Sequence, residues 1–237
     1  MSVNPPNRIK IEGLLFDKDG TLFDFHATWS TWTGDLIQDL SGGDASLADD
    51  LVRVLHYDLA TGRLLPSSPV IAHTHRQVSE CVAAALPGRH VDEIEHELMI
   101  TSSQVPQVVT VPLHGFLDGL AARGLALGVM TNDTEFSARA HLGRAEVVDK
   151  FDFIAGSDSG YGSKPDPDPL LAFAKAMGLD PRAVAMVGDS AHDLIAGRAA
   201  EMHTVGVLTG VALEDDLAPH ADVVFPDIGH IPAWLDA

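Results

Sequence analysis

The stretch that most constrains this chain is an apolar run over 9–16 that gives way to Asp17-Lys18-Asp19-Gly20-Thr21-Leu22-Phe23-Asp24. A run of that length and composition predicts a short buried strand. Side chains alternate along a strand, so Asp17 and Asp19 fall on the same side. Two carboxylates that close repel each other unless a cation sits beside them. A hard divalent ion such as Mg²⁺, which takes oxygen ligands, meets that need. Gly20 permits a sharp turn and leaves backbone N–H groups able to meet an anion. A calcium loop of the EF-hand type also opens Asp-x-Asp, but its glycine comes two positions later and a helix, not an apolar strand, precedes it.

After Asp24 the periodicity changes. Helices are predicted over 28–40 (Trp29, Trp32, Leu36, Ile37 and Leu40 on one face), over 46–60 with Ser46 as its cap, over 70–86 and over 91–102. Gly62 and the prolines at 66 and 69 mark a break between the second and third. From 108 onward helix and strand alternate. Helices are expected over 113–123, 134–142, 167–177 and 191–200, and strands over 125–130, 151–155, 184–187, 203–208 and 223–225. This pattern predicts a doubly wound α/β fold: a parallel sheet covered by helices on both faces, with an all-α helical insert straight after the first strand. The expected division is a core domain of 1–24 and 108–237 and a helical cap of 25–107.

Ligands of open parallel sheets bind at the carboxyl ends of the strands. Asp17 and Asp19 follow the first strand, Thr131-Asn132-Asp133 follow 125–130, and Asp189 and Asp193 follow 184–187. Lys164 lies in the loop after 151–155. All four groups are therefore expected at one edge. Composition narrows what meets them there. The 237 residues carry 15 Lys plus Arg against 34 Asp plus Glu, a formal net charge of −19. Such a surface repels nucleic acid and anionic membrane, so a phosphate site must be made locally positive. Cys81 is the only cysteine, which leaves no intrachain disulfide. No apolar segment approaches the ~20 residues of a membrane span, and no signal-peptide core is visible; the expected setting is cytoplasmic.

Asp17-Lys18-Asp19-Gly20-Thr21-Leu22-Phe23-Asp24 resembles the first motif, D-x-D-G-T-L-x-D, of the haloacid dehalogenase (HAD) superfamily. Thr131 after Gly128-Val129-Met130 resembles the second, Lys164 in Ser163-Lys164-Pro165 the third, and Gly188-Asp189 with Asp193 the fourth, G-D-x-x-x-D. With the helical insert in this position, the chain looks most like the phosphoglycolate-phosphatase branch. The resemblance implies a Rossmann-like core and a Mg²⁺-dependent phosphatase working through an aspartyl-phosphate, with a small phosphorylated metabolite such as 2-phosphoglycolate as substrate and no nucleic-acid or membrane partner, as a monomer or homodimer. It implies Asp17 as nucleophile and Asp19 as general acid and base, with the Asp19 backbone carbonyl turned to the metal. Thr131, Asn132, Gly20 and Lys164 would hold phosphate, and Asp17, Asp19, Asp189 and Asp193 the Mg²⁺.

Three positions depart from that pattern. Lys18 stands where small phosphatases carry an apolar residue, Asp133 where they often carry lysine, and His192 where they often carry asparagine. A lysine directly after the first aspartate also occurs in the D-K-T-G-T motif of ion-pumping ATPases, which the lack of a membrane span argues against. Dehalogenases lack the second aspartate. A phosphosugar mutase and a non-catalytic Mg²⁺- or phosphate-binding regulator are the remaining alternatives. His73 and His75, flanking Thr74 in one predicted helix, are expected on different faces, at the cap surface or entrance. His26, Trp29 and Trp32 are candidates for the pocket mouth, with core packing the plainer role for the tryptophans. Arg63, Arg76 and Lys18 are candidates for substrate contact.

Overall fold

A computed structural model describes residues 10–237; Ile9, at the start of the predicted first strand, lies outside them. Six parallel strands, β1 (Gly13–Phe16), β4 (Ala126–Met130), β5 (Phe153–Ala155), β6 (Val184–Gly188), β7 (His203–Val207) and β8 (Val223–Phe225), form one sheet in the order β5-β4-β1-β6-β7-β8. β1 sits between β4 and β6, with Leu14 opposite both Leu127 and Ala185. Its alternation is used on two faces. Leu14 and Phe16 pack with Leu127, Val129, Ala185 and Val187, and with Leu113, Leu117 and Leu142 of α6 (Leu113–Ala121) and α7 (Glu135–Arg144). Leu15 faces the other way, onto Phe173 and Ala196 of α8 (Asp168–Met177) and α9 (Ala191–Ala199). Burial on both faces explains why these strands read as continuous apolar runs.

The insert holds α1 (Thr31–Ser41), α2 (Ala45–Leu55), α3 (Pro69–Ala72), α4 (His75–Ala85) and α5 (Val91–Ser103), around a core of its own that includes Trp32, Leu36, Leu51, Leu55, Val82, Ile94 and Leu98. Burying each such side chain contributes ~1.5–3 kcal/mol. It departs from the sequence reading in four places. A π-helical turn, His26–Ser30, precedes α1. Asp44, not Ser46, caps α2 by accepting from the Ser46 and Leu47 N–H groups. The predicted helix over 46–60 stops at Leu55, where His56 turns left-handed (φ 49°), and the chain forms a short antiparallel hairpin, β2 (Tyr57–Asp58) with β3 (Arg63–Leu64). The insert is thus helical with one hairpin rather than all-α. Finally, the helix expected over 70–86 is two, because Thr74 breaks it: its hydroxyl accepts from Gln77 N while the Gln77 side chain accepts from Thr74 N, a reciprocal cap. No helix among the described residues is long and apolar enough to cross a membrane.

Candidate active site

Four strand ends build one cleft. Asp17, Asp19, Thr131, Asn132, Asp133, Lys164, Asp189, His192 and Asp193 all line it. Asp17 extends β1 by donating its N–H to Val187 O at 2.8 Å. Lys164 reaches across to it: Nζ lies 2.6 Å from Asp17 Oδ1, 2.7 Å from Asp193 Oδ1, and donates to Met130 O at 2.9 Å. Asp193 is the third residue of α9 and accepts from both the backbone N (3.0 Å) and the Oγ (2.7 Å) of Ser190 through Oδ2. Asp189 is buried beside Gly20 and Gly210, where a Cβ on either glycine would overlap its carboxylate. Gly20 holds φ at 81°, and Thr209 Oγ1 donates to its carbonyl at 2.5 Å.

The charge balance of this cluster favours a cation. Burial pushes Asp17 up to about 7; Lys164 opposes this, and Asp193 and Asp19 add to it. Burial, Asp17 and Asp193 push Asp189 well above the usual carboxylate range. Burial works against a charged Lys164, but Asp17 and Asp193 outweigh it and hold the ammonium proton more tightly than usual. Asp17, Asp189 and Asp193 each place a carboxylate oxygen within 4.8 Å of the others. Asp189 has no lysine or arginine partner among the described residues and receives only a long hydrogen bond from Thr21 Oγ1, 3.4 Å. Three converging carboxylates with one ammonium among them suit a hard divalent ion held by oxygen.

A second layer lies behind Asp19. Lys18, fully buried, contacts Asp19 Oδ2 at 2.7 Å, Asp133 Oδ2 at 3.3 Å and His141 Nδ1 at 3.0 Å. Trp29 Nε1 donates to Asp19 Oδ1 at 2.8 Å. Burial works against a charged Lys18, yet Asp19 and Asp133 more than compensate, so its pKa lies above the ordinary value. Lysine is a donor only, so His141 accepts at Nδ1, and its Nε2–H points to Ser102 O at 2.9 Å. Burial first, and then the charge of Lys18, hold this imidazole down at about 4. Lys18 therefore does not line the cleft: it supports Asp19 from behind. Its partners Asp133 and His141 arrive with the segment that follows β4, and no local pattern in the sequence marks His141.

Thr131 and Asn132 hold the loop between β4 and α7. Thr131 Oγ1 accepts from Asp133 N at 3.1 Å. Asn132 was expected at the phosphate, but both amide hydrogens of its side chain are used elsewhere: Nδ2 donates to Ala72 O (2.8 Å) and Lys164 O (2.9 Å), and Oδ1 accepts from Lys164 N (2.9 Å). Its side chain thus positions the lysine and the insert, and only its backbone remains for an anion. His73 and His75 both line the cleft, the first exposed and the second buried, because Thr74 caps α4 between them. Trp29 and Trp32 serve as core and as cleft wall at once. Arg76 does not reach the cleft; it is exposed and pairs with Asp92 (2.6 Å) and Glu95 (2.5 Å). Arg63 is exposed on the hairpin.

A parallel sheet with an acidic cluster, a lysine and a capped threonine loop at its carboxyl edge describes a hydrolase architecture that sequence comparison identifies directly. The model of the haloacid dehalogenase-like hydrolases matches residues 14–207, and the chain belongs to that family. It is 37% identical over 119 residues to the phosphoglycolate phosphatase of Rhodospirillum rubrum, a match that covers 50% of this chain and 49% of that one. The chain thus spans about half the length of that curated relative. It is 26% identical over 222 residues to the N-acetylmuramic acid 6-phosphate phosphatase of Pseudomonas aeruginosa, covering 92% and 91%. The fold recurs in a HAD phosphatase from Thermococcus onnurineus (TM-score 0.65, 20% identity, 95% of this chain and 98% of that one). It recurs also in the beta-phosphoglucomutase of Clostridium difficile (TM-score 0.65, 16% identity, 95% and 97%).

Proposed function

We propose that this protein is a Mg²⁺-dependent phosphatase that hydrolyses a small-molecule phosphate monoester through an aspartyl-phosphate on Asp17. The observation that carries the reading is the Asp17 carboxylate held 2.6 Å from Lys164 at the end of the central strand, among Asp189 and Asp193. A carboxylate nucleophile divides a slow hydrolysis into two easier displacements. Lys164 draws Asp17 toward its ionised form against the effect of burial and offsets phosphoryl charge. Asp19, two residues on, lines the cleft on the side of the insert, where a leaving alcohol would lie. There it protonates the alcohol in the first step and takes a proton from water in the second. Thr131 Oγ1 and the backbone N–H of Asn132 bind phosphate oxygens; Gly20, expected among the phosphate contacts, donates its own N–H to Phe23 O at 2.7 Å and serves the turn instead. Asp17, Asp189, Asp193 and the Asp19 carbonyl would hold the Mg²⁺, which supplies Lewis-acid stabilisation of phosphoryl oxygen when bound.

In this reading residues 1–24 and 108–237 are the catalytic core and 25–107 the cap that excludes water and selects the substrate. The curated relatives are named for 2-phosphoglycolate and N-acetylmuramic acid 6-phosphate, so a phosphorylated metabolite is the substrate class that similarity suggests. Phosphate release from phenyl phosphate and from those two esters, with Mg²⁺ and with excess EDTA, tests the proposal. Turnover that needs Mg²⁺ and disappears in Asp17→Asn is expected. Turnover that persists in Asp17→Asn or in EDTA would overturn it.

A further inference from the structure

The cleft has two unlike ends. The sheet end carries the carboxylates, Thr131 and Lys164. The wall from the insert is largely apolar, with Phe25, Trp29, Trp32, Val70, Ile71 and Val78; His73, His75 and Ser102 are its polar members. Trp32 is only 7% exposed, and its indole N–H finds no partner in the protein.

Fixed positive charge is missing from that wall. Lys164 is the only lysine or arginine lining the cleft among the described residues, and its ammonium already contacts Asp17 and Asp193. Lys18 lies behind Asp19, fully buried and engaged by Asp19 and Asp133. The insert contains no lysine; its arginines are Arg53, Arg63, Arg76 and Arg89. Arg53 pairs with Asp50, Arg76 with Asp92, Glu95 and Glu80, and Arg89 with Glu97, all away from the cleft. Arg63 is exposed on the hairpin and does not line it. Asp19 and Asp133 add negative charge to the lining. A carboxylate taken out of water needs a cation with matched hydrogen bonds, and without one its burial is costly.

We infer that the cleft accepts the phosphate monoester of an uncharged, largely apolar alcohol and discriminates against esters of hydroxy acids. The inference deepens the phosphatase reading and rests on it. The phosphate binds at the sheet end. The alcohol's body lies against Trp29, Trp32, Val70 and Ile71. The relatives' named substrates both carry a carboxylate, so this chain would differ from them in the half of the substrate that the insert reads.

Matched pairs of esters test this. At pH 8, kcat/KM with Mg²⁺ is compared for phenyl phosphate against 4-carboxyphenyl phosphate, and for 2-hydroxyethyl phosphate against 2-phosphoglycolate. The uncharged member of each pair is expected to be at least about tenfold better. Ile71→Lys, which puts an ammonium on the half-buried wall, should narrow both ratios at least about fivefold. Carboxylated esters turned over equally well or better by the unmodified protein would overturn the inference. Silence across the panel would instead overturn the phosphatase reading. Calorimetric titration of Asp17→Asn with the two phenyl esters then decides the inference separately. Tighter binding of phenyl phosphate by about tenfold supports it; equal or tighter binding of the carboxylated ester, or no binding of either, overturns it.

Discussion

Lys18 Nζ sits 2.8 and 2.7 Å from the two oxygens of Asp19, the residue that follows it in the chain. The middle residue of the Asp-x-Asp motif thus neutralises the motif's second acid, and Trp29 fixes the same carboxylate from the insert. Removing the ammonium leaves Asp19 and Asp133 close together, with side-chain exposures of only 14% and 9%, and without a cation. Breaking such a pair costs ~3–5 kcal/mol. Lys18→Met should therefore lower stability by about that amount in urea melts. Adding Asp133→Asn should restore part of it, a non-additivity that an independent pair of sites would not show. Misplacing Asp19 should also lower kcat by ~10²-fold.

His141 predicts an acid-side loss of stability. The ring is fully buried and its pKa is depressed from 6.5 to about 4. Between those values the unfolded chain takes up a proton that the native ring refuses, so this group's contribution is complete above pH 6.5 and falls as pH drops toward 4. The window is worth ~3 kcal/mol. His141→Gln, which keeps an acceptor for Lys18 and a donor for Ser102, should give a flatter stability profile from pH 6.5 to 4, read by denaturant melts at each pH.

The metal has the opposite sign. Native Asp17 holds its proton up to about 7, whereas the unfolded carboxyl loses it near 3.8. In metal-free protein its contribution is therefore present below 3.8 and lost as pH rises through 7. Mg²⁺ competes with that proton. The rise in Tm on adding saturating Mg²⁺ should be larger at pH 8 than at pH 5.5, and the difference should shrink in Asp17→Asn.

Gly210→Ala tests the bed on which Asp189 lies. A methyl there would occupy the space of the Asp189 carboxylate. Mg²⁺ affinity, read by calorimetry, should fall about tenfold or more, the scale at which supporting residues tune metal sites. The position lies after β7, away from the core of the sheet, so the fold should survive, with a circular dichroism spectrum like that of the unmodified protein.

The sheet and its loaded edge were legible because their signals are local. Strands buried on both faces show as apolar runs, and each polar group follows its strand directly, as Asp17 follows Phe16 and Asp189 follows Gly188. The insert was less legible where two local signals compete. Ser46 looks like a cap, but Asp44 is two residues earlier and takes the N–H groups. The apolar positions on either side of Thr74 suggest one helix, whereas the Thr74–Gln77 cap starts a second. The role of Lys18 was not legible at all: its ring partner, His141, lies 123 residues away in the chain, and nothing in the spacing of either residue announces the other.

Asn132 carries a consequence for domain exchange. One side chain and its backbone bind three segments: the Lys164 loop through both N–H and C=O, α3 through Ala72 O, and α4 through the N–H of His75, 3.2 Å from Asn132 O. A foreign insert grafted between Asp24 and Val108 would have to present a carbonyl and an amide at those same points. If it did not, the fault would appear in the placement of the lysine rather than in the graft itself. Transplants in this chain are thus limited by register at a single asparagine before they are limited by the fit of any new substrate.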